Sequence, residues 1–303
     1  MVNRALRATG GDPVLNLALE ESLLRGGKAA ASLLLLYVDD PCVVVGRNQN
    51  PWAEAAPGSG LRVLRRASGG GTVYHDRGNL NWSLIVPRSE HDPAAELGLV
   101  ALALRELGIE TESGPRGGLF VAGGPWKGKK ISGTARRLEG QRVMHHGTLL
   151  VAADLEALAS SLGGIEASGP RALRSVGSPS VNLSALCPGL GVEEVAKLLA
   201  RVLAGSPCEE AEPHADESSR EAAARRLASW EWTWGATPAF ELPLRWGGGE
   251  ARITVKEGIV AAARGPGSER LVPWLGARFD YGIPASALAV LEGRGPEPVG
   301  RRG

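Results

Sequence analysis

The sequence predicts an α+β fold, a mixed α/β assembly with a large unit over residues 1–240 and a small α+β unit over residues 243–303. Three observations carry that prediction. Two helices open on the same signal, Asp12-Pro13 and Asp92-Pro93, in which aspartate caps free N–H groups and proline takes the first helical turn. Strand-length apolar runs recur at 33–38, 42–45, 61–66 and 80–86, bounded by turn residues. After Phe240 the chain shifts to short runs broken by Gly247-Gly248-Gly249 and Glu257-Gly258, the pattern of short strands joined by tight turns.

Each element follows from local chemistry. The first helix places Leu15, Leu19 and Leu23 on one face and stops at Gly26-Gly27. Residues 33–38 and 42–45 read as a hairpin about Asp39-Asp40-Pro41, with Gly46-Arg47-Asn48-Gln49-Asn50-Pro51 as its polar exit loop. Along 80–86, Leu80, Trp82, Leu84 and Val86 fall on one face and Asn81, Ser83 and Ile85 on the other. A second helix covers 94–107 and ends at Gly108. Runs 119–122, 129–137 and 142–151 suit a meander that turns at Glu139-Gly140. Helices follow at 155–162, 192–204 and 220–229, the last opened by a capping box from Ser218 to Glu221. Residues 205–216 read as a loop; strands occupy 243–264, a helix lies near 285–291, and a Gly/Pro/Arg tail ends the chain.

Composition narrows the function. A chain of 303 residues, 43% hydrophobic, can bury a substantial core. Its formal charge of +1 argues against nucleic acid as a partner, which calls for an excess or stripe of cations. No run approaches the ~20 apolar residues of a membrane span, and the N-terminal residues lack the apolar core of a secretory signal. A cytoplasmic protein, monomeric by default and with no membrane partner, is the expectation. Cys42, Cys187 and Cys208 are scattered, without the spacing of a disulfide framework or a zinc site.

The chemistry concentrates in Arg65-Arg66-Ala67-Ser68-Gly69-Gly70-Gly71-Thr72-Val73-Tyr74-His75-Asp76-Arg77-Gly78-Asn79. Paired cations, a glycine triplet and an Asn-rich strand read as an anion-binding loop set in a sheet, since glycine in a strand marks a bulge or a close approach by a ligand. Two further patches, Lys127-Gly128-Lys129-Lys130-Ile131-Ser132-Gly133 and His145-His146-Gly147, could converge with it. Lys130 points either outward to water or inward to a charge that it neutralises. The His pair is a poor metal site, because adjacent strand residues face opposite ways. His75 reads either as a structural hydrogen-bonding residue or as one that orients a substrate, and Asn79 either binds or turns the chain.

These residues resemble, in order and spacing, the three signatures of the lipoate-protein ligase A family: the segment from Arg65 to Asn79, Lys130-Ile131-Ser132-Gly133-Thr134-Ala135, and His145-His146-Gly147-Thr148-Leu149-Leu150. Asn16-Leu17-Ala18-Leu19-Glu20-Glu21, Ser175-Val176 and Val181-Asn182-Leu183 add weaker matches. The resemblance implies a sheet domain of mostly antiparallel strands flanked by helices, as in biotin and lipoate ligases, with the segment after residue 240 as an accessory domain that closes on the intermediate. It implies an ATP-dependent ligase that converts lipoate to lipoyl-AMP, with Mg2+ accompanying ATP. The lipoyl group then passes to a lysine of a lipoyl domain, on a 2-oxoacid dehydrogenase E2 subunit, a glycine-cleavage H protein or another carrier. Lys130 would bridge the acyl carboxylate and the α-phosphate, and Gly69, Gly70 and Gly71 would offer N–H groups to the adenylate. Arg66 and Ser68 would line the acyl pocket, with Tyr37 over the dithiolane end unless it is ordinary core. Thr72, Val73, Tyr74, His75, Asn79, Ser132, Gly133, Thr134, Ala135, His146 and Gly147 complete the implied lipoate and adenylate site.

One departure stands out. Where the family carries an Asn-Asp pair for the phosphate and its metal, this chain has Gly117-Gly118 after Arg116. Two alternatives therefore stand beside the ligase: a lipoyl or octanoyl transferase using a preformed acyl-adenylate or acylated carrier, and a non-catalytic protein that binds lipoate or lipoyl domains. A cysteine-dependent transferase is disfavoured, since no cysteine lies between Cys42 and Cys187. Biotin ligase is disfavoured because Gly46-Arg47-Asn48-Gln49 lacks its Gly-Arg-Gly-type loop.

Overall fold

The structure, a computed structural model, describes residues 2, 4–26, 32–114, 116–169, 173–210 and 217–294. In chain order it contains β1 (Arg4–Arg7), α1 (Pro13–Gly26), β2 (Leu33–Tyr37), β3 (Cys42–Val45), α2 (Pro51–Glu54), β4 (Arg62–Arg65), β5 (Val73–His75) and β6 (Asn79–Pro87). Next come α3 (Pro93–Glu106), β7 (Thr111–Ser113), β8 (Leu119–Val121), β9 (Lys130–Ser132), β10 (Thr134–Glu139) and β11 (Arg142–Leu150). Then follow α4 (Leu155–Ser161), α5 (Leu183–Leu186), α6 (Val192–Ala204), β12 (Glu209–Glu210), α7 (Glu217–Ala228), β13 (Phe240–Trp246), β14 (Gly249–Lys256), β15 (Ile259–Arg264) and α8 (Gly282–Leu291).

The main sheet has the order β10-β11-β6-β2-β1-β12. Its β10/β11, β11/β6 and β6/β2 pairs are antiparallel, while β1 runs parallel to both of its neighbours. On one face Leu34, Leu36, Leu80, Trp82 and Leu84 pack against Val100 and Leu104 of α3 and Val195 and Leu199 of α6. On the other, Leu33, Leu35, Ile85 and Met144 meet Leu19 and Leu24 of α1. Helix α1 also presents Val14, Leu17 and Ala18 to Cys42, Val44 and Leu64 of a second sheet and to Leu227 of α7. The expected single stripe is therefore corrected: Leu15 is 56% exposed, because a helix wedged between two sheets buries two sides.

Four further expectations need correcting. Strands β2 and β3 form no hairpin, since β2 pairs with β1 and β6 whereas β3 lies between β4 and β5 in a separate sheet. Both strands are buried throughout, and such strands take central positions with a neighbour on each edge. The polar exit loop contains a helical turn, α2, whose Trp52 N–H donates to Asn50 Oδ1 at 3.1 Å. The single strand expected over 129–137 divides at Gly133: β9 joins β7 and β8 in a three-stranded sheet, while β10 joins the main sheet. Helix α7 begins at Glu217 in the described residues, which places Ser218 inside its first turn rather than at a cap. Gly27, residues 211–216 of the expected loop and the tail over 295–303 lie outside the described residues.

The C-terminal strands β13, β14 and β15 form an antiparallel meander. Phe240, Ile253, Val255, Phe279, Ile283 and Leu291 build a core of their own, into which Trp52 of α2 inserts. The Trp52 ring meets Phe279 edge-on at 5.1 Å, and Tyr281 Oη donates to the Ala55 carbonyl at 2.9 Å. Among the described residues no helix is long and apolar enough to cross a membrane.

Candidate active site

A cavity of about 470 Å³ opens where β9 and β10 part. The loop between β4 and β5 supplies one wall with Gly70, Gly71 and Thr72, continued by Val73 and His75 of β5. β11 supplies His146, Gly147 and Thr148, and Tyr37 closes one end. At that end Tyr37, Val44, Leu17, Arg66 and His146 are all at least nine-tenths buried. The opposite end carries the exposed Arg116 and Arg174 and the half-buried Lys130. A slot with a dry end and a cationic end suits an apolar chain that terminates in an anion.

Of the paired arginines Arg66 lines the cavity, whereas Arg65 does not. Arg65 is fully buried and spends its guanidinium on the carbonyls of Gly46, Arg47, Gln49, Trp232 and Thr233 and on Thr237 Oγ1. Arg66 donates to the carbonyls of Val44 (3.0 Å), Gly69 (2.6 Å) and Gly71 (2.7 Å) and to Ser68 Oγ (3.0 Å). Burial lowers the pKa of each to about 10. Arg65 therefore ties residues 46–49 to residues 232–237, and Arg66 holds the glycine loop in shape. With its carbonyls turned to Arg66, the loop leaves the amides of Gly70 and Gly71 without an acceptor among the described residues, the arrangement of an anion nest. Gly70 has φ of +83°, a region costly for residues with a Cβ.

Lys130 is held through its backbone. Its N–H donates to Pro179 O (2.8 Å) and its carbonyl accepts from Val181 (3.0 Å). Its ammonium makes no hydrogen bond or ion pair with the described residues and passes beside two glycines, so that a Cβ on Gly118 would sit 3.2 Å from Cε and one on Gly133 3.2 Å from Nζ. Burial, followed by the charge of Arg116, lowers its pKa. A partly desolvated ammonium beside another cation is unfavourable until an anion joins it.

Behind the buried end lies a hydrogen-bonded chain. His146 Nδ1 is 2.8 Å from Glu20 Oε1 and its Nε2 is 2.7 Å from Ser68 Oγ. Ser83 Oγ and Tyr37 Oη also donate to Glu20. Burial raises the Glu20 pKa, but the charge on His146 and these bonds outweigh it and leave the pKa below its ordinary value. Burial and the Glu20 and Asp39 charges push the Tyr37 phenol well above its ordinary range. Tyr37 is therefore a neutral donor. His145 points the other way, to Glu96 of α3 at 2.7 Å, as strand alternation requires.

Of the expected site residues, Tyr37, Arg66, Gly70, Gly71, Thr72, Val73, His75, Lys130, Gly133, Thr134, Ala135, His146 and Gly147 share this cavity. Ser68, Gly69, Tyr74, Asn79 and Ser132 do not line it. Ser68 acts through Arg66 and His146, the Gly69 carbonyl faces Arg66, and Asn79 donates to Asn81 at 3.1 Å. Tyr74 alternates away from Val73 and His75, and Ser132 is 1% exposed beneath the wall. Lining residues outside the expected site include Leu17, Val44, Asn81, Arg116, Phe120, Thr148, Leu173, Arg174 and Ser178. Asn81 could have been found, as a polar residue two positions from Asn79 on a buried strand; Leu173 and Ser178 lie in a loop with no local signal.

No aspartate or glutamate lines the cavity among the described residues. The nearest carboxylates lie behind its wall, each already engaged: Glu20 as above, Asp39 with His75 Nδ1 (2.8 Å) and Asn16 (2.8 Å), and Glu54 with Ser175 N–H and Thr72 Oγ1 (both 3.2 Å). A Mg2+ ion held by protein carboxylates does not fit these residues. Asp39, Cys42 and His75 also place ligand atoms within 4.8 Å of one another in a buried cluster, where the Asp39–His75 hydrogen bond accounts for two of the three. Burial pushes the Cys42 thiol well above its ordinary pKa.

Comparison with known proteins agrees with this architecture. A sequence model of the lipoyl protein ligase A/B catalytic domain matches residues 12–204, more than half of the chain. The structure is similar to P. falciparum LipL1 in complex with lipoate, with a TM-score of 0.66 and 20% identity over 92% of this chain and 91% of that one. It is similar to a lipoate-protein ligase A bound with ATP, with a TM-score of 0.62 and 23% identity over 77% and 98%. It is also similar to a bi-partite lipoate protein ligase from Thermoplasma acidophilum, studied with its E2 lipoyl domain, with a TM-score of 0.63 and 23% identity over 77% and 96%. With the catalytic-domain match spanning the cavity walls from α1 to the loop that carries Ser175, this chain belongs to the lipoyl protein ligase A/B family.

Proposed function

We propose that this protein is an ATP-dependent lipoate-protein ligase. The observation that supports this reading most strongly is the polarity of one cavity, with a buried end lined by Tyr37, Val44 and His146 and a cationic end with Lys130 beside free loop amides. Similar folds described with lipoate and with ATP support the same assignment of substrates.

The acyl chain would lie toward Tyr37 and its carboxylate beside Lys130. A carboxylate oxygen attacks the α-phosphorus of ATP, the α–β phosphoanhydride bond breaks, and pyrophosphate leaves. Lys130 offsets the repulsion between the two anions, and the Gly70 and Gly71 amides act as oriented donors that need no reorganisation. The acceptor lysine amine then attacks the acyl carbon, AMP leaves, and the amine loses a proton. The acceptor in this proposal is a lipoyl domain of an E2 subunit or H-protein type, in keeping with the E2 domain paired with the archaeal ligase. The reaction is placed in the cytoplasm, and a single chain carries the whole site. Residues 1–240 act as the catalytic domain and 243–303 as an accessory domain.

Transfer from a preformed acyl-adenylate is the second reading, favoured by the lack of a lining carboxylate among the described residues. A cysteine acyl-enzyme has no support, because Cys42 is fully buried outside the cavity. The test is incubation with lipoate, ATP and a recombinant lipoyl domain, followed by intact-mass analysis. Lipoylation that requires both small molecules supports the ligase; lipoylation only with supplied lipoyl-AMP moves the protein to the transferase reading.

A further inference from the structure

We propose that this protein holds nucleotide phosphate through Lys130, Arg116 and Arg174 directly, with no metal ion ligated by its own side chains. The proposal deepens the ligase reading and rests on its nucleotide site.

A protein-held divalent ion needs hard oxygen ligands, carboxylates above all. The described cavity wall offers none. Glu20, Asp39 and Glu54 lie one layer behind it, 1%, 0% and 5% exposed. Swinging any of them inward would strip partners from His146, His75 or the Ser175 amide, and leaving buried donors unpaired costs free energy. The remaining lining oxygens are hydroxyls, amides and carbonyls, weak ligands for a strongly hydrated ion.

Gly117-Gly118 is part of the same design. A Cβ at Gly118 would meet the Ser132 carbonyl at 2.8 Å and Lys130 Cε at 3.2 Å. The lysine stem thus fills the space that a side chain at 118 would need. The Gly117 carbonyl is fixed by Thr134 Oγ1, which donates to it at 2.5 Å. A side chain at 118 would therefore require Ser132 and Lys130 to shift.

The charge of the phosphates is met from three separate segments. Lys130 comes from β9, Arg116 from the turn before β8, and Arg174 from the loop beside α2. Arg174 donates to the Ala53 carbonyl at 3.3 Å, and its Nε lies 4.0 Å from Glu54. That leaves part of its guanidinium open to a phosphate, which arginine can grip through two N–H groups. Because Mg2+ removes part of the nucleotide's charge and the described lining residues include no carboxylate to welcome the ion, metal-free ATP is the better-matched ligand.

The test is calorimetric titration of the full chain with ATP, in Mg2+ and in EDTA at equal ionic strength, repeated on Arg116→Ala/Arg174→Ala. Both arginines are exposed, and circular dichroism checks that the variant folds. Metal-free ATP is expected to bind at least as tightly as ATP with Mg2+, and the double variant to lose roughly tenfold or more in affinity, as charge-assisted hydrogen bonds predict. An affinity that rises tenfold on adding Mg2+, or a double variant that binds like the parent, overturns the proposal and leaves the ligase reading standing. If neither ATP nor a non-hydrolysable acyl-adenylate analogue binds in either buffer, the nucleotide site itself is wrong and the proposal goes with it.

Discussion

Lys130 and Glu20 bracket the cavity, and each makes a pH-dependent statement. Burial and then the charge of Arg116 lower the Lys130 pKa from 10.5, and an anion at its Nζ favours the charged form and raises it again. Affinity for an acyl-adenylate analogue should therefore be constant below the lowered value and fall as pH rises through it, earlier than for an ordinary lysine. In Lys130→Arg the decline should vanish, because arginine stays charged; a parallel decline in both proteins would remove Lys130 from the anion site. For Glu20 the sign reverses. Its folded pKa lies below 4.5, so its stabilising contribution is present above that ordinary value and is lost as pH falls through the lowered one. Glu20→Gln should cost about 3 kcal/mol near neutrality, and the gap from the parent in urea unfolding should shrink in acid. A gap independent of pH would mean that the Glu20 charge contributes nothing.

At the scale of elements, the glycine loop shows which parts of the site the chain discloses. Its three glycines look alike in sequence but differ in space. A Cβ at Gly69 meets nothing within 4 Å, whereas Gly70 has φ of +83° and a Cβ there would lie 3.0 Å from Arg66 Nη2. Gly70→Ala should cost about 1–2 kcal/mol for the left-handed backbone alone, and weaken adenylate binding, while Gly69→Ala stays within about 0.5 kcal/mol of the parent; equal effects at both positions would refute this account of the loop. Helices α1 and α3 were legible because Asp-Pro starts and glycine stops act within one turn. The placement of β2 and β3 in different sheets was not, since apolar runs record burial but not which neighbour covers them. The same limit hid the division at Gly133 that opens the cavity, and it hid the role of Arg65, whose carbonyl partners reach as far along the chain as Thr233.

At the scale of the whole molecule, the C-terminal core is joined to the rest through Trp52, which meets Trp234, Phe240 and Phe279. No described residue beyond Ser178 lines the cavity, and the C-terminal core packs on α2 through Trp52. Trp52→Ala should lower unfolding stability by about 3–5 kcal/mol with ligand affinity changed less than about twofold; an affinity loss as large as that of Lys130→Ala would tie the unit to the site. The family match from α1 through α6 and the polarity of one cavity support the proposal that Lys130 and the loop amides drive adenylation of an acyl carboxylate. Lipoate-dependent exchange of labelled pyrophosphate into ATP tests it most directly. The account predicts exchange that requires lipoate and disappears in Lys130→Ala, whereas no exchange in the parent protein, or undiminished exchange in the variant, would contradict it.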